Sequence, residues 1–302
     1  MIDDIRDNPY IDHKDVLGLN FIRDPGTYVY RRHYRQGMRS HIMEVLDPKD
    51  VENETKGIVI DGLKLYPRAQ PLNMLRIFRT KFNALKNAEE ELRRVKTIET
   101  YLAPDNLARS NEFLVDYIRQ GKRELLLCGL QEYVKGEVLE PWSHLDKDHL
   151  VSLLYDMGFE KVEDPVMITD RWIHSMREKA ENFIGKLKQM IMETNLVPDL
   201  AGVGNLLLTR SGDIKLVDIN NISRVSFDPI IHLDDRGYPV CDKSIEALSL
   251  LEQKLLGRPL HRNDIIYKTF LDSIRMKEVQ AIDKEFHRSM EPEMSSSESS
   301  SP

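Results

Sequence analysis

PDLAGVGNLLLTRSGDIKLVDINN, residues 198–221, reads as a loop, a short strand, a tight turn and a second strand. Leu206–Thr209 is an apolar run, Arg210–Asp213 carries the Gly and Asp of a turn, and Ile214–Val217 alternates as a half-buried strand does. A hairpin of this kind brings its two ends side by side. Those ends are Asn205 and Asp218, so an amide oxygen and a carboxylate would share one mouth. Such hard oxygen donors suit a Mg²⁺ ion held against phosphate. Asp199, just ahead of the loop, adds a second carboxylate where a general base would sit. The plainer alternative is a buried hairpin that happens to end in Asn and Asp, and it is Asp199 that weighs against it.

The chain has 302 residues, enough for one large domain or two lobes with a full core. Hydrophobic residues make up 41% and charged residues 31%, a balance typical of globular proteins rather than of disordered or membrane-embedded chains. A net charge of −7 argues against a nucleic-acid surface. The basic cluster Arg31-Arg32-His33-Tyr34-Arg35, with Arg39, reads better as a solvated strand-turn face. Two cysteines, Cys128 and Cys241, exclude a disulfide scaffold, and neither has zinc-site spacing. Cys128 falls in the apolar run Leu125–Leu130 and reads as a small core residue. The opening MIDDIRDNPY is acidic and polar, unlike a signal peptide, and no apolar run reaches membrane-span length. A cytoplasmic setting is the expectation.

Strands are expected at Thr27–Arg32, Ser40–Leu46, Gly57–Tyr66, Glu112–Tyr117 and Glu124–Val134. Leu72–Leu102 reads as one long helix, its apolar positions recurring at three and four. After Gly136 the pattern is mainly helical: Pro141–Met157, Asp170–Thr194, then the hairpin, then Asp242–Leu256 closed by Gly257, and Asn263–His287. The expected division is residues 1–134 as a β-rich lobe with the helix 72–102, residues 135–290 as a helical lobe, and a Ser-rich disordered tail at 291–302. A cleft between two lobes is a usual place for a ligand.

In this order of elements the chain resembles the protein-kinase-like fold, and within it the bacterial atypical and aminoglycoside-phosphotransferase-like kinases. In that family an Asp-Leu opens the catalytic loop, an Asn closes it, a hairpin follows and an Asp ends it. Asp199-Leu200, Asn205 and Asp218 match these elements. Glu132-Tyr133-Val134-Lys135-Gly136 resembles the segment joining the two lobes, where a carbonyl at Glu132 and an N–H at Val134 would meet adenine, with Gln131 behind the ring. Leu63-Lys64-Leu65 resembles the strand whose Lys holds the α- and β-phosphates and pairs with a helix Glu. Glu91 is the best candidate for that Glu, with Glu89 and Glu90 as neighbours that stay open.

The departures are specific. The family's catalytic loop H-R-D-L-x-x-x-N places its Asp and Asn five apart; here Asp199 and Asn205 are six apart. Gly202 and Gly204 could absorb the extra residue. The His of that motif is replaced by Val197, the metal motif Asp-Phe-Gly becomes Asp218-Ile219-Asn220, and no G-x-G-x-x-G loop is present. The resemblance implies an α+β, bilobal kinase-like fold using ATP and Mg²⁺. Asp199 would be the base, Lys64 the phosphate cation held by Glu91, and Asn205 and Asp218 the metal ligands. Lacking an activation loop that ends in Ala-Pro-Glu, it implies a small-molecule hydroxyl acceptor (a sugar, an aminoglycoside or a lipopolysaccharide core) more than a protein. The competing implication is a nucleotide-binding pseudokinase that serves as a regulatory or scaffold module.

Overall fold

The computed structural model describes residues 4–35, 37, 39–159, 165–261 and 263–290. The expected disordered tail, 291–302, lies outside them. The first half runs α1 (His13–Leu17), β1 (Val29–Arg32), β2 (Ser40–Leu46), α2 (Pro48–Lys56), β3 (Ile58–Ile60), β4 (Leu63–Leu65), β5 (Asn73–Phe78), α3 (Leu85–Leu102), β6 (Ser110–Arg119) and β7 (Lys122–Glu132). The second half runs β8 (Gly136–Val138), α4 (Lys147–Asp156), α5 (Pro165–Thr194), β9 (Leu196–Pro198), β10 (Leu206–Thr209), β11 (Ile214–Leu216), β12 (Ile222–Arg224), α6 (Val240–Leu256), α7 (Ile265–Phe270) and α8 (Ser273–Met290). The architecture is mixed α and β, built on an antiparallel five-stranded sheet in the order β1-β2-β5-β7-β6.

Three elements differ from their sequence reading, each for a local reason. Leu72–Leu102 is not one helix: its first part is β5, buried along nearly its whole length, and only Leu85–Leu102 is helical. Leu75 and Phe78 fit a helical spacing, but Met74, Leu75, Ile77 and Phe78 fill a central strand buried on both faces equally well. Gly57–Tyr66 is not one strand either. It folds into the hairpin β3–β4 at Asp61-Gly62, both with positive φ, the turn chemistry of a two-residue hairpin. The long helix expected at Asn263–His287 is likewise divided: Asp272 Oδ1 accepts from the N–H groups of Ile274 and Arg275 and so starts α8 afresh.

Two apolar cores result. One lies on a face of the five-stranded sheet, where Met43, Leu75, Ile77, Leu126 and Cys128 meet Ile5, Ile11 and Val16 from the N-terminal segment. Burial pushes the Cys128 thiol up to about 12, in keeping with an inert core residue. The other core is larger and joins α5, α6 and the hairpin β10–β11; Val95, Ile98 and Leu102 of α3 belong to it. The long helix of the first half therefore leans on the helical half. β8 continues the chain from β7 and pairs with β10, which ties the two halves together behind the hairpin. No helix among the described residues is long and apolar enough to cross a membrane.

Candidate active site

The hairpin forms between the expected segments. Leu206 pairs with Leu216, and the N–H of Val217 donates to the carbonyl of Asn205 at 2.9 Å, so Asn205 sits directly beside the Val217-Asp218 step. The loop before it is tight. Asn205 Nδ2 donates to the Asp199 carbonyl at 2.8 Å, folding the side chain back over Gly202. A Cβ on Gly202 would lie 2.4 Å from that Nδ2, and Gly204 has φ +79. The six-residue step from Asp199 to Asn205 is thus taken up by two positions that only Gly fills without strain.

Asp199 is held on both carboxylate oxygens. Oδ1 accepts from the N–H groups of Ala201 at 3.0 Å and Gly202 at 2.9 Å, and Oδ2 from Asn221 Nδ2 at 3.1 Å. Burial, reinforced by the nearby charge of Asp218, raises its pKa above the ordinary carboxylate value even though these three donors pull it down.

Asp218 faces a cation that the sequence reading had hidden inside a helix. Arg76, in the middle of β5 and almost wholly buried, donates from Nη2 to Asp218 Oδ1 at 2.8 Å and from Nη1 to the Val217 carbonyl at 3.0 Å. Gln131 Nε2, from the neighbouring β7, donates to that same carbonyl at 3.0 Å. The signal was present in the sequence as an Arg within the apolar run Asn73–Phe78. A buried guanidinium needs an anionic partner, and the strand reading would have demanded one.

Lys64 lies elsewhere. Its hairpin β3–β4 is exposed, and its ammonium rests 5.4 Å from the centre of the Tyr66 ring. The reading of Lys64 as a buried-facing strand residue is therefore corrected. Glu91, on α3, pairs with Arg94 at 3.6 Å, one turn away, and not with Lys64. Its pKa is raised by burial, offset in part by Arg94 and Arg39. Glu89 and Glu90 bridge to Arg93 and Arg94 as a solvated run.

These residues surround two adjoining cavities. The first is lined by Gln131, Glu132, Tyr133 and Val134 and by Arg35, Arg76, Asn205 and Asp218. Gly136 closes it, and its role is close approach: a Cβ there would lie 2.5 Å from the Leu208 carbonyl oxygen, across the β8–β10 pair. The second cavity includes Asp199. The two meet at Gly37, Val203, Asn205 and Asp218, which line both. Arg35 and Gly37, which line the first cavity, come from between β1 and β2. Arg39 of the same connection donates to Asp234 at 2.9 Å and also pairs with Asp235. Among the described residues Arg35 makes no ion pair; its guanidinium lies 4.9 Å from the Tyr34 ring centre.

No protein family and no curated protein matches this sequence. Among solved structures the chain is similar to a ROP18 kinase domain in complex with AMP-PNP and sucrose, at 9% identity and a TM-score of 0.36, over 88% of this chain and 83% of that one.

Proposed function

We propose that this protein is a phosphotransferase that uses ATP and Mg²⁺ and acts on the hydroxyl of a small molecule, within the protein-kinase-like group of enzymes. One observation carries the reading: the two cavities join at Asn205 and Asp218, and Asp199 opens only into the second. That is the arrangement phosphoryl transfer needs, with nucleotide on one side, acceptor and base on the other, and the metal ligands at the junction.

The donor set fits the metal. Asn205 spends its amide nitrogen on the Asp199 carbonyl, so its Oδ1 stays available, and Asp218 keeps Oδ2 while Oδ1 takes Arg76 and the Asn220 N–H at 3.0 Å. Two protein oxygens are few, but Mg²⁺ usually binds through one or two side chains and completes its shell with phosphates and water. When bound, the ion neutralises phosphate charge. The chain's own residues do the rest. The segment Glu132–Val134 fronts the first cavity, and the Val134 N–H, which makes no other hydrogen bond among the described residues, offers a donor to adenine. Arg76 and Arg35, in place of Lys64, supply positive charge along the phosphates. Asp199 accepts the proton of the acceptor hydroxyl as its oxygen bonds to the γ-phosphorus. The bond from that phosphorus to the bridging oxygen breaks, and ADP leaves.

The test is a thermal-shift titration with ATP, with and without Mg²⁺, joined to turnover measurements. Mg²⁺-dependent stabilisation that Asp218→Ala abolishes is the expected result. Asp199→Ala should leave that stabilisation in place and lower turnover by about 10²–10⁴-fold, the usual contribution of a general base. Phosphotransfer that survives Asp199→Ala removes it as the base. A second reading has its own support. Arg76 already occupies one oxygen of Asp218, which suits a pseudokinase that binds nucleotide with an arginine where the metal would be. ATP stabilisation indifferent to Mg²⁺, with no turnover, is the outcome that selects it.

A further inference from the structure

The hairpin β3–β4 lines neither cavity and pairs with no other strand among the described residues. Its register puts Val59 and Lys64 on one face and Ile58, Ile60, Leu63 and Leu65 on the other. Both faces are open: Val59 is 70% exposed and Leu63 66%, and Ile60, Leu65 and Tyr66 are exposed with them. Single apolar side chains at a surface are ordinary, but a contiguous set marks an interaction site. A two-stranded hairpin is also marginal in water, where three or more strands with an apolar face are needed for stability.

The two free edges differ. β3 is Ile58-Val59-Ile60, strong strand formers without a charge, whereas β4 carries Lys64 at its centre, a residue that blunts an edge against pairing. The pair beside the Asp61-Gly62 turn, Ile60 and Leu63, exchanges its backbone bonds within the hairpin. The next pair, Val59 and Lys64, therefore turns its N–H and C=O groups outwards. We propose that β3 pairs antiparallel with β3 of a second copy of this chain, about a two-fold axis at Val59. Val59 exchanges two backbone bonds with Val59 of the second copy, and Ile58 stands opposite Ile60 of the second copy. A four-stranded sheet results, in which Ile58, Ile60, Leu63 and Leu65 of both copies form one continuous apolar face.

The charges agree with this register. It carries Asp61, at the tip of one hairpin, opposite Gly57 of the second copy and next to Lys56 of the second copy. Asp61 forms no ion pair among the described residues, and the Lys56 side chain, 73% exposed, has room for a carboxylate besides Glu52. Pairing β4 with its own copy about Lys64 would instead set two ammonium groups against each other. With Lys64 on both outer edges the sheet stops at four strands, so the assembly closes as a dimer and does not grow into a filament. The paired edge is short, so the expected affinity is micromolar, at the weak end of specific interfaces.

Sedimentation velocity of the whole chain from about 1 μM to about 100 μM tests this. The mass should rise from one chain to two and no further. In Val59→Asp the carboxylate faces Lys64 across its own hairpin and a second carboxylate across the axis. It should therefore keep the hairpin and raise the dimer Kd by about tenfold or more. Val59→Lys should also weaken the dimer. An equimolar mixture of the two variants should restore it, because opposite charges then meet at the axis. A chain that stays monomeric throughout overturns the inference. So does a dimer that Val59→Asp leaves as tight, a mixture that fails to restore it, or growth beyond two chains. Flotation with phosphatidylcholine–phosphatidylserine vesicles examines the other occupant. Vesicle binding by a monomeric chain, lost in Val59→Asp, would assign the hairpin to a lipid surface and overturn self-pairing.

Discussion

At the scale of single side chains, the contrast between Lys64 and Arg76 is the sharpest. Both are cations in short apolar runs, yet one is exposed on a hairpin and the other is buried against Asp218. Their removal should differ accordingly. Lys64→Ala, a surface change, should alter stability by less than about 0.5 kcal/mol and leave ATP stabilisation as it was. Arg76→Met should cost about 2 kcal/mol in a urea titration, less than a fully buried pair would because Asp218 is partly open to solvent. It should also remove most of the ATP-induced shift. Equal effects of the two substitutions on nucleotide binding would return Lys64 to the site. That Asn205 and Asp218 stand side by side was legible in advance because one short hairpin joins them. The partner of Asp218 across the cleft was not, because 142 residues separate it from Arg76.

Elements show the same division. The hairpin β10–β11, helix α6 with its left-handed Gly257, and the strands β6 and β7 with their Gln120-Gly121 turn all follow from turn chemistry and local periodicity. β5 escaped because a strand buried on both faces lacks alternation, and its apolar residues also satisfy a spacing of three and four. The loop from Asp199 to Asn205 was legible as a question about two glycines, and the fold answers it through Gly202. Gly202→Ala should push Asn205 off the Asp199 carbonyl, since the added Cβ would lie 2.4 Å from Nδ2. The expected outcome is loss of the Mg²⁺-dependent part of the ATP shift, with a stability cost of about 1–3 kcal/mol. An unchanged Mg²⁺ dependence would mean that Asn205 is no metal ligand.

At the scale of the whole molecule, the N-terminal segment straps the sheet. Ile5 and Ile11 enter its core, and buried Arg6 joins Asp4 at 2.8 Å to Glu124 on β7. Burial alone would raise the Asp4 pKa, but the hydrogen bonds and charge of Arg6 outweigh it and hold the carboxyl at about 2. A depressed carboxylate contributes stability that is present above its ordinary value near 3.8 and lost as pH falls towards 2. Hydrogen exchange or limited proteolysis should therefore show the segment 4–11 loosening across that acid window. Asp4→Asn should loosen it already at neutral pH. Protection that does not change between pH 4 and about pH 2 would show that the strap does not depend on this pair.

By itself the sequence determined the hairpin with its polar ends, the Glu132–Gly136 segment, the helices α4, α5 and α6 and the candidate donors Asp199, Asn205 and Asp218. Each depends on contacts between near neighbours or on a repeat along one element, where turn residues and apolar spacing leave few alternatives. Only the tertiary structure decided that β5 lies between β2 and β7, that Arg76 and not Lys64 faces Asp218, and that two cavities meet at Asn205. Strand neighbours far apart in the chain are selected by burial of whole faces against one another, and no local pattern encodes which cation that packing will carry to the carboxylate.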